Sequence, residues 1–285
     1  MIRLKIKTLI ILLLRTGVSF TQEFGDYLSE NALQIKDNYE LDSAYYDYFK
    51  NYKLILIGET HGTKEPAKLV KSISELILEN EKIVSVGLEI PEELMKVFTQ
   101  MPCDSTLALT KFFTKDNIDG RNGQAWFDLI KYCNTQPKIK LFFFDNFNVK
   151  KNTNRDSSMY LSILTQMSKY PQSKIITLSG GIHSKLIPYK TNPTLGNYCI
   201  NDSLNFPIHS VCSINHIYSE GTILNSIGNG LELRTIDFEE SVFSNSVDFK
   251  NYLIFYQTAE PSDHNCIFYS RNVNHSQKVN LSNKL

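Results

Sequence analysis

The chain has 285 residues, of which 42% are hydrophobic and 21% charged, a composition that fits a globular domain with a sizeable core and excludes a disordered chain. Thirty basic residues balance thirty acidic ones, so the overall charge gives no reason to expect nucleic acid or an anionic membrane surface as a partner. No internal repeat or low-complexity tract is visible.

The N-terminus reads as a targeting segment. Arg3, Lys5 and Lys7 precede the short apolar block TLIILLL, and small and polar residues follow it. That order describes a secretory signal peptide over residues 1–21, with a break near Thr21 and Gln22, although Arg15 interrupts the pattern. The block is too short for a confident membrane span; the alternative is an uncleaved apolar anchor. The expectation is a secreted or periplasmic protein with no stable membrane span after signal removal, followed by a single α/β domain over residues 22–285. Removal of the leader takes away four bases and no acid, which leaves the mature chain acidic. The five cysteines form no CxxC pair, so a zinc ribbon or thioredoxin-like site is not supported. An exported chain has scope for one or two disulfides, with at least one thiol left over.

Residues 23–50 are polar and aromatic-rich and read as a helical lead-in that packs Tyr45, Tyr48 and Phe49. An alternation then begins. The apolar run KLILIG (53–58) predicts a buried strand. Leu69, Ile73, Leu76 and Ile77 recur at helical spacing after Pro66. The β-branched run 82–90 predicts a second strand, and Pro91 opens a helical pattern through residue 100. Residues 105–113 hold a helical piece. Trp126, Ile130 and Cys133 share one side of a helix over 122–135, and KIKLFFFDN (138–146) predicts a third strand. Met159, Ile163, Leu164 and Met167 mark a helix that Pro171 ends, and SKIITLSGG (173–181) predicts a fourth strand. Strands alternating with helices imply a mostly parallel central sheet with helices on both faces. Beyond His183 the pattern changes: 206–214 and 251–258 look like late strands separated by long loops rich in Gly, Asn and Ser.

The polar residues fall at telling places. Glu59 and His61 lie just past the first strand, Glu89 at the end of the second, Asp145 at the end of the third, and His183 one short glycine turn after the fourth. Ligands of parallel α/β sheets bind outside the carboxyl ends of the strands. Both GETH and GGIH are Gly-x-x-His, and glycine there allows a sharp turn and close backbone approach. Glu59 and His61, two apart in extended chain, face one side. A carboxylate beside an imidazole can orient it for proton transfer or share a metal with it. Each feature has a blander explanation: Glu89 as a helix-start acid, Asp145 with Asn146 as a turn, Arg155 and Asp156 as a local charge pair, and His183 as a structural histidine. Their joint occurrence favours a site. His209, His216, His264 and His275 receive no role, with His209 taken as structural in an alternating strand.

The ordered set LILIGETHGT, VGLEIP, FFFDN, NRDSSMYLSIL, ITLSGGIHS and TLGNYCI resembles the superfamily that groups erythromycin esterases, haem-uptake ChaN-like proteins and the Tiki and TraB proteins, over roughly residues 50–200. The resemblance implies an α/β fold with the site at the strand ends. Its esterase branch implies His61 as general base on a water, with Glu59, Glu89 and His183 completing the pocket and Arg155 adding positive charge. Its Tiki branch implies a divalent ion (Zn, Mn or Fe) on Glu59, His61, Glu89 and His183, and metal-assisted water attack on a peptide. Its ChaN-like branch implies haem or iron binding without turnover, although no lipobox cysteine is present. Many relatives carry Asn where Gly181 stands, so any hydrogen bond from that amide is in doubt. The expected protein is an exported hydrolase of an ester or amide, acting on a small-molecule or peptide substrate, or else a haem- or iron-binding protein of the same fold.

Overall fold

A computed structural model of the chain describes residues 19–100, 108–114, 119–146, 154–226, 230–237, 242–256 and 262–279. Most of the expected leader and Cys103 lie outside them. Among the described residues no helix is long and apolar enough to cross a membrane.

The expected strands are present. They are β2 (Leu54–Glu59), β3 (Val84–Pro91), β4 (Ile139–Asp145) and β5 (Lys174–Gly180), preceded by the short β1 (Leu33–Ile35). Late in the chain follow β6 (Val211–Ser226), β7 (Leu231–Asp237), β8 (Asn251–Phe255) and β9 (Cys266–Val273). All nine share one sheet in the order β1-β8-β9-β6-β2-β5-β3-β4, with β7 paired to β6. The run from β9 to β4 is parallel throughout, and β1, β7 and β8 are antiparallel to their partners.

The crossovers are helical: α3 (Glu65–Asn80) after β2, α6 (Gln124–Thr135) before β4, α7 (Arg155–Lys169) after β4, and α8 (Leu195–Asn201) before β6. The remaining helices are α1 (Ser19–Asn31), α2 (Tyr46–Phe49), α4 (Leu94–Gln100), α5 (Lys111–Thr114) and α9 (Val242–Asn245). Period-two alternation on the central strands divides the core. Ile55 and Ile57 of β2 pack with the buried stripe of α3 and with Trp126, Phe127 and Ile130 of α6. Leu54 and Leu56 pack with Met159, Ile163 and Met167 of α7 and with Leu195 and Cys199 of α8. Helices therefore cover both faces, as expected.

Several local readings need correction. The lead-in is not continuous helix: β1 adds to the sheet edge, and only Phe49 of the three aromatic residues is buried. Pro91 ends β3 instead of opening a helix, because it still pairs with Asp145; the helix begins at Leu94. The late region is more sheet than loop, since β6 runs for 16 residues. Its strand starts at Val211, so His209 sits before it in an exposed turn with φ 65°. Cys133, Cys199, Cys212 and Cys266 are buried free thiols, so the described cysteines form no disulfide.

Candidate active site

The two Gly-x-x-His motifs lie side by side because β2 and β5 are neighbours, with Gly58 opposite Ser179 and Glu59 opposite Gly180. Glycine is required for this approach. A Cβ on Gly58 would stand 2.1 Å from Ser184 Oγ, and one on Gly180 would stand 3.1 Å from His61 Nε2. A Cβ on Gly181, by contrast, would make only ordinary van der Waals contacts, with Glu59 O at 3.7 Å and Asn215 Oδ1 at 3.9 Å.

Glu59 continues the Ile55–Ile57 alternation, so it points to the α6 side of the sheet, where it is buried. Its Oε1 accepts from Trp126 Nε1 at 3.0 Å and lies 2.8 Å from His61 Nδ1. Its Oε2 is buried without a hydrogen-bond partner. With Glu59 accepting at Nδ1, the other ring nitrogen, Nε2, is free to take a proton. The nearest carboxylate oxygens to that Nε2 are Glu89 Oε2 at 3.9 Å and Asp119 Oδ2 at 4.0 Å, separations that suit a bridging water and not a direct bond.

Glu89 sits where the pairing of β3 with β4 shifts register between Leu88 and Pro91, a bulge of the kind that re-aims side chains beside sites. Its backbone oxygen, out of the ladder, accepts from Arg121 Nη1 at 2.9 Å. Its Oε1 accepts from Arg121 Nη1 at 2.8 Å and Arg155 Nη2 at 2.6 Å, and its Oε2 from the Gly180 amide at 2.7 Å. Asp145, fully buried, binds the same two arginines: Arg155 Nε at 2.8 Å and Nη2 at 2.6 Å, and Arg121 Nη1 at 3.1 Å. Arg121 is held from the other side by Asp119 at 2.8 and 3.0 Å.

The asparagine cap of α7, Asn154, accepts from the Asp156 amide and so fixes the helix start. This places Arg155 and Asp156 at the same sheet edge. They do not form the local pair that their adjacency suggests. Arg155 reaches Glu89 and Asp145, whereas Asp156 Oδ1 lies 2.8 Å from His183 Nδ1 and accepts from the Leu195 amide at 2.8 Å. His183 Nε2 faces Arg155 Nη1 at 3.4 Å and Glu89 Oε1 at 3.6 Å. Two imidazole–carboxylate pairs thus flank one buried glutamate.

The electrostatics follow from this packing. Burial alone would push Glu89 up, but Arg121, His61, His183 and Arg155 together pull it down to about 2. Burial likewise opposes charge on His61, yet the Glu59 hydrogen bond and the charges of Glu89, Glu59 and Asp119 prevail and hold its pKa above the ordinary histidine value. Burial raises Glu59 despite its hydrogen bond to His61. Asp119 ends low because His61 and Arg121 outweigh its desolvation.

Glu59, His61, Glu89, Arg155 and His183 therefore converge, with Asp145. Asp119, Arg121, Asp156 and the indole of Trp126 join them without having been singled out for the site by the sequence. As a metal set, Glu59, His61, Glu89 and His183 do not fit. Both oxygens of Glu89 are engaged, two guanidiniums stand beside it, and the first nitrogen of each imidazole is tied to its own carboxylate. Among the described residues no three His, Cys, Asp or Glu side chains are arranged to hold a metal. Haem suits the site no better, because both imidazoles face carboxylates and a guanidinium, whereas haem needs apolar walls.

No family model and no curated sequence matches the chain. Solved structures do. A protein described as a succinoglycan biosynthesis protein superposes with a TM-score of 0.67 at 11% identity, over 93% of this chain and 100% of its own. A Bacillus cereus protein gives 0.62 at 12% identity, over 91% and 99%. A mutant of the erythromycin esterase EreC in its open conformation gives 0.58 at 10% identity, over 87% and 99%. At such identities the likeness concerns architecture: this chain shares its α/β fold with these three structures, the esterase EreC among them.

Proposed function

We propose that the protein is a hydrolase of an ester or amide that uses His61 as general base and needs no metal. Nε2 of His61 takes a proton from water, and the resulting hydroxide adds to the substrate carbonyl. Glu59 keeps the proton on Nδ1 and stabilises the imidazolium that forms. Arg155, about one-third exposed, stabilises the oxyanion from the solvent side of the Glu89–Asp145 cluster. Collapse of the intermediate returns the proton from imidazolium to the leaving alkoxide or amine. His183, oriented by Asp156, stands within reach of the same Arg155 and can relay that proton.

The observation that carries this reading is the Glu59–His61 pair: a buried carboxylate 2.8 Å from Nδ1 of an imidazole whose Nε2 meets no carboxylate oxygen closer than 3.9 Å. The test is a panel of chromogenic esters and short peptides, with the wild type against His61→Ala. Turnover should fall by about 10²–10⁴, the usual contribution of general-base catalysis. Equal turnover by the variant would overturn the proposal. The exported location implied by the N-terminal segment belongs to the same proposal, and the mass of the protein recovered from the medium or periplasm checks it.

A further inference from the structure

The loop that carries His61 and the turn that carries Arg121 meet at two glycines. A Cβ on Gly120, whose φ is +102°, would stand 2.7 Å from Gly62 Cα. Within residues 59–65 and 119–126 the direct ties are this glycine packing and the Trp126–Glu59 hydrogen bond, and Leu224 of β6 lies against both glycines. The chain that follows β9, residues 274–279, runs across both segments.

On the His61 side, the Ser276 amide donates to Gly62 O at 2.8 Å, Thr63 forms an antiparallel bridge with His275, and the Lys64 amide donates to Asn274 O at 3.0 Å. The buried Glu65 Oε1 accepts from the Asn274 amide at 3.0 Å and from its Nδ2 at 3.2 Å. On the other side, Gly123 bridges Lys278, and the Gln124 amide donates to Gln277 O at 2.6 Å. The Ala125 amide donates to Ser276 Oγ at 2.9 Å. These last two donors belong to the first turn of α6, where amides have no partner within the helix. The residue at its cap position is Gly123, which has no side chain to offer. Ser276 does from a distance what a Ser or Asn at the cap would do locally. The next residue, Trp126, is the one whose indole donates to Glu59.

We propose that the segment 274–279 is a strap that sets the catalytic geometry, and that Ser276 is a positioning residue: its amide fixes the His61 loop and its hydroxyl fixes the start of α6, so that Trp126, Glu59 and His61 stay in line. The inference rests on the hydrolase reading for its kinetic consequence, but its structural consequence can be measured without turnover.

The experiment uses the full chain carrying Ser276→Ala or Gly123→Ala. The first removes the hydroxyl. The second keeps Ser276 but places a Cβ about 2.3 Å from its Oγ, which drives the strap off the helix start. Gly123 has φ −79°, so alanine is not strained there. Two readouts are taken: kcat and KM on the best ester of the panel, and the titration of the His61 ring by NMR. Each variant should lose on the order of tenfold in kcat with KM within about twofold, and His61 should titrate closer to the ordinary histidine value as its contact with Glu59 loosens. If either variant folds and both readouts match wild type, the strap is packing only and the inference falls. If the His61 titration moves while no chain, wild type included, turns over any substrate, the positioning role stands and the hydrolase reading fails.

Discussion

Replacing Glu59 by glutamine tests the centre of the proposed mechanism with almost no change of shape. Both donors to this side chain, His61 Nδ1 and Trp126 Nε1, converge on Oε1, and a carboxamide oxygen placed there can accept from both. The imidazole therefore keeps its orientation and its tautomer, and what is lost is the charge. A charge-assisted hydrogen bond contributes about 1.5–3 kcal/mol against about 1 kcal/mol for a neutral one, so the imidazolium loses about 0.5–2 kcal/mol of support. That corresponds to about one pKa unit. The acid limb of the pH–rate profile should move down by about one unit, and kcat at its plateau should fall by about two- to thirtyfold, because the transition state carries the same imidazolium. The amide nitrogen would occupy the place of Oε2, which has no partner, so two buried donors go unsatisfied at about 1–3 kcal/mol. Thermal unfolding should drop by several degrees for a domain of this size. Stopped-flow or steady-state pH profiles on the best ester measure the first two effects, and calorimetry measures the third. An unchanged acid limb together with an unchanged plateau would refute the view that Glu59 and His61 act as a pair.

Other outcomes follow from the same geometry. In the wild type, activity requires neutral His61, whose pKa is raised, so the rate should climb with pH through a value above 6.5; an acid limb at or below 6.5 contradicts the site electrostatics. The same shift links to stability with a defined sign: the pairing of His61 stabilises fully below pH 6.5 and is lost as pH rises through the folded value, which His61→Gln should flatten in denaturant titrations. Dialysis against a chelator should leave kcat within about twofold of the untreated protein, because Glu89 is saturated by two arginines and the Gly180 amide; a loss restored by Zn, Mn or Fe would refute that reading of the donor set. Finally, His216 is buried against Phe268 with Nδ1 unpartnered, and burial lowers its pKa to about 3. The unfolded chain binds its proton from pH 6.5 downward and the folded chain does not, so at pH 4.5 this residue costs about 3 kcal/mol, which His216→Phe should recover in acid denaturation.

What was legible in the sequence, and what was not, divides along physical lines. The strands β2 to β5 were visible because each is a short apolar run between helical periods, and parallel pairing then obliges their carboxyl ends to share an edge. Glu59, His61, Glu89, Asp145 and His183 follow from that edge by position alone. Arg121 and Asp119 do not, because they belong to no strand end: they lie in a turn that reaches the site only because Gly120 packs against Gly62, a contact between segments almost sixty residues apart. The sequence DGRNG marks a turn but not its destination. The partner of His183 could not be read from the sequence for a related reason. Adjacency suggested Arg155 with Asp156, but neighbours on a helix do not face each other, and each of these two reaches across to a different strand end.

The late strands show most clearly why periodicity alone could not complete the site. Among the described residues of 211–279 no acid or imidazole is hydrogen-bonded or ion-paired to the His61–His183 cluster, and by sequence the region reads as short late strands among long loops. Yet β6 pairs directly with β2, placing the long strand beside the one that ends in Glu59, and β9 pairs in turn with β6. The chain leaving β9 is thereby delivered to Gly62 and Gly123, the two points where the site has no side chain of its own to close its hydrogen bonds. A site built on glycines, chosen for close approach, must import its donors and acceptors from elsewhere in the chain. The C-terminal strands are the route by which those groups arrive, so the region without chemical motifs is part of what keeps the motifs in place.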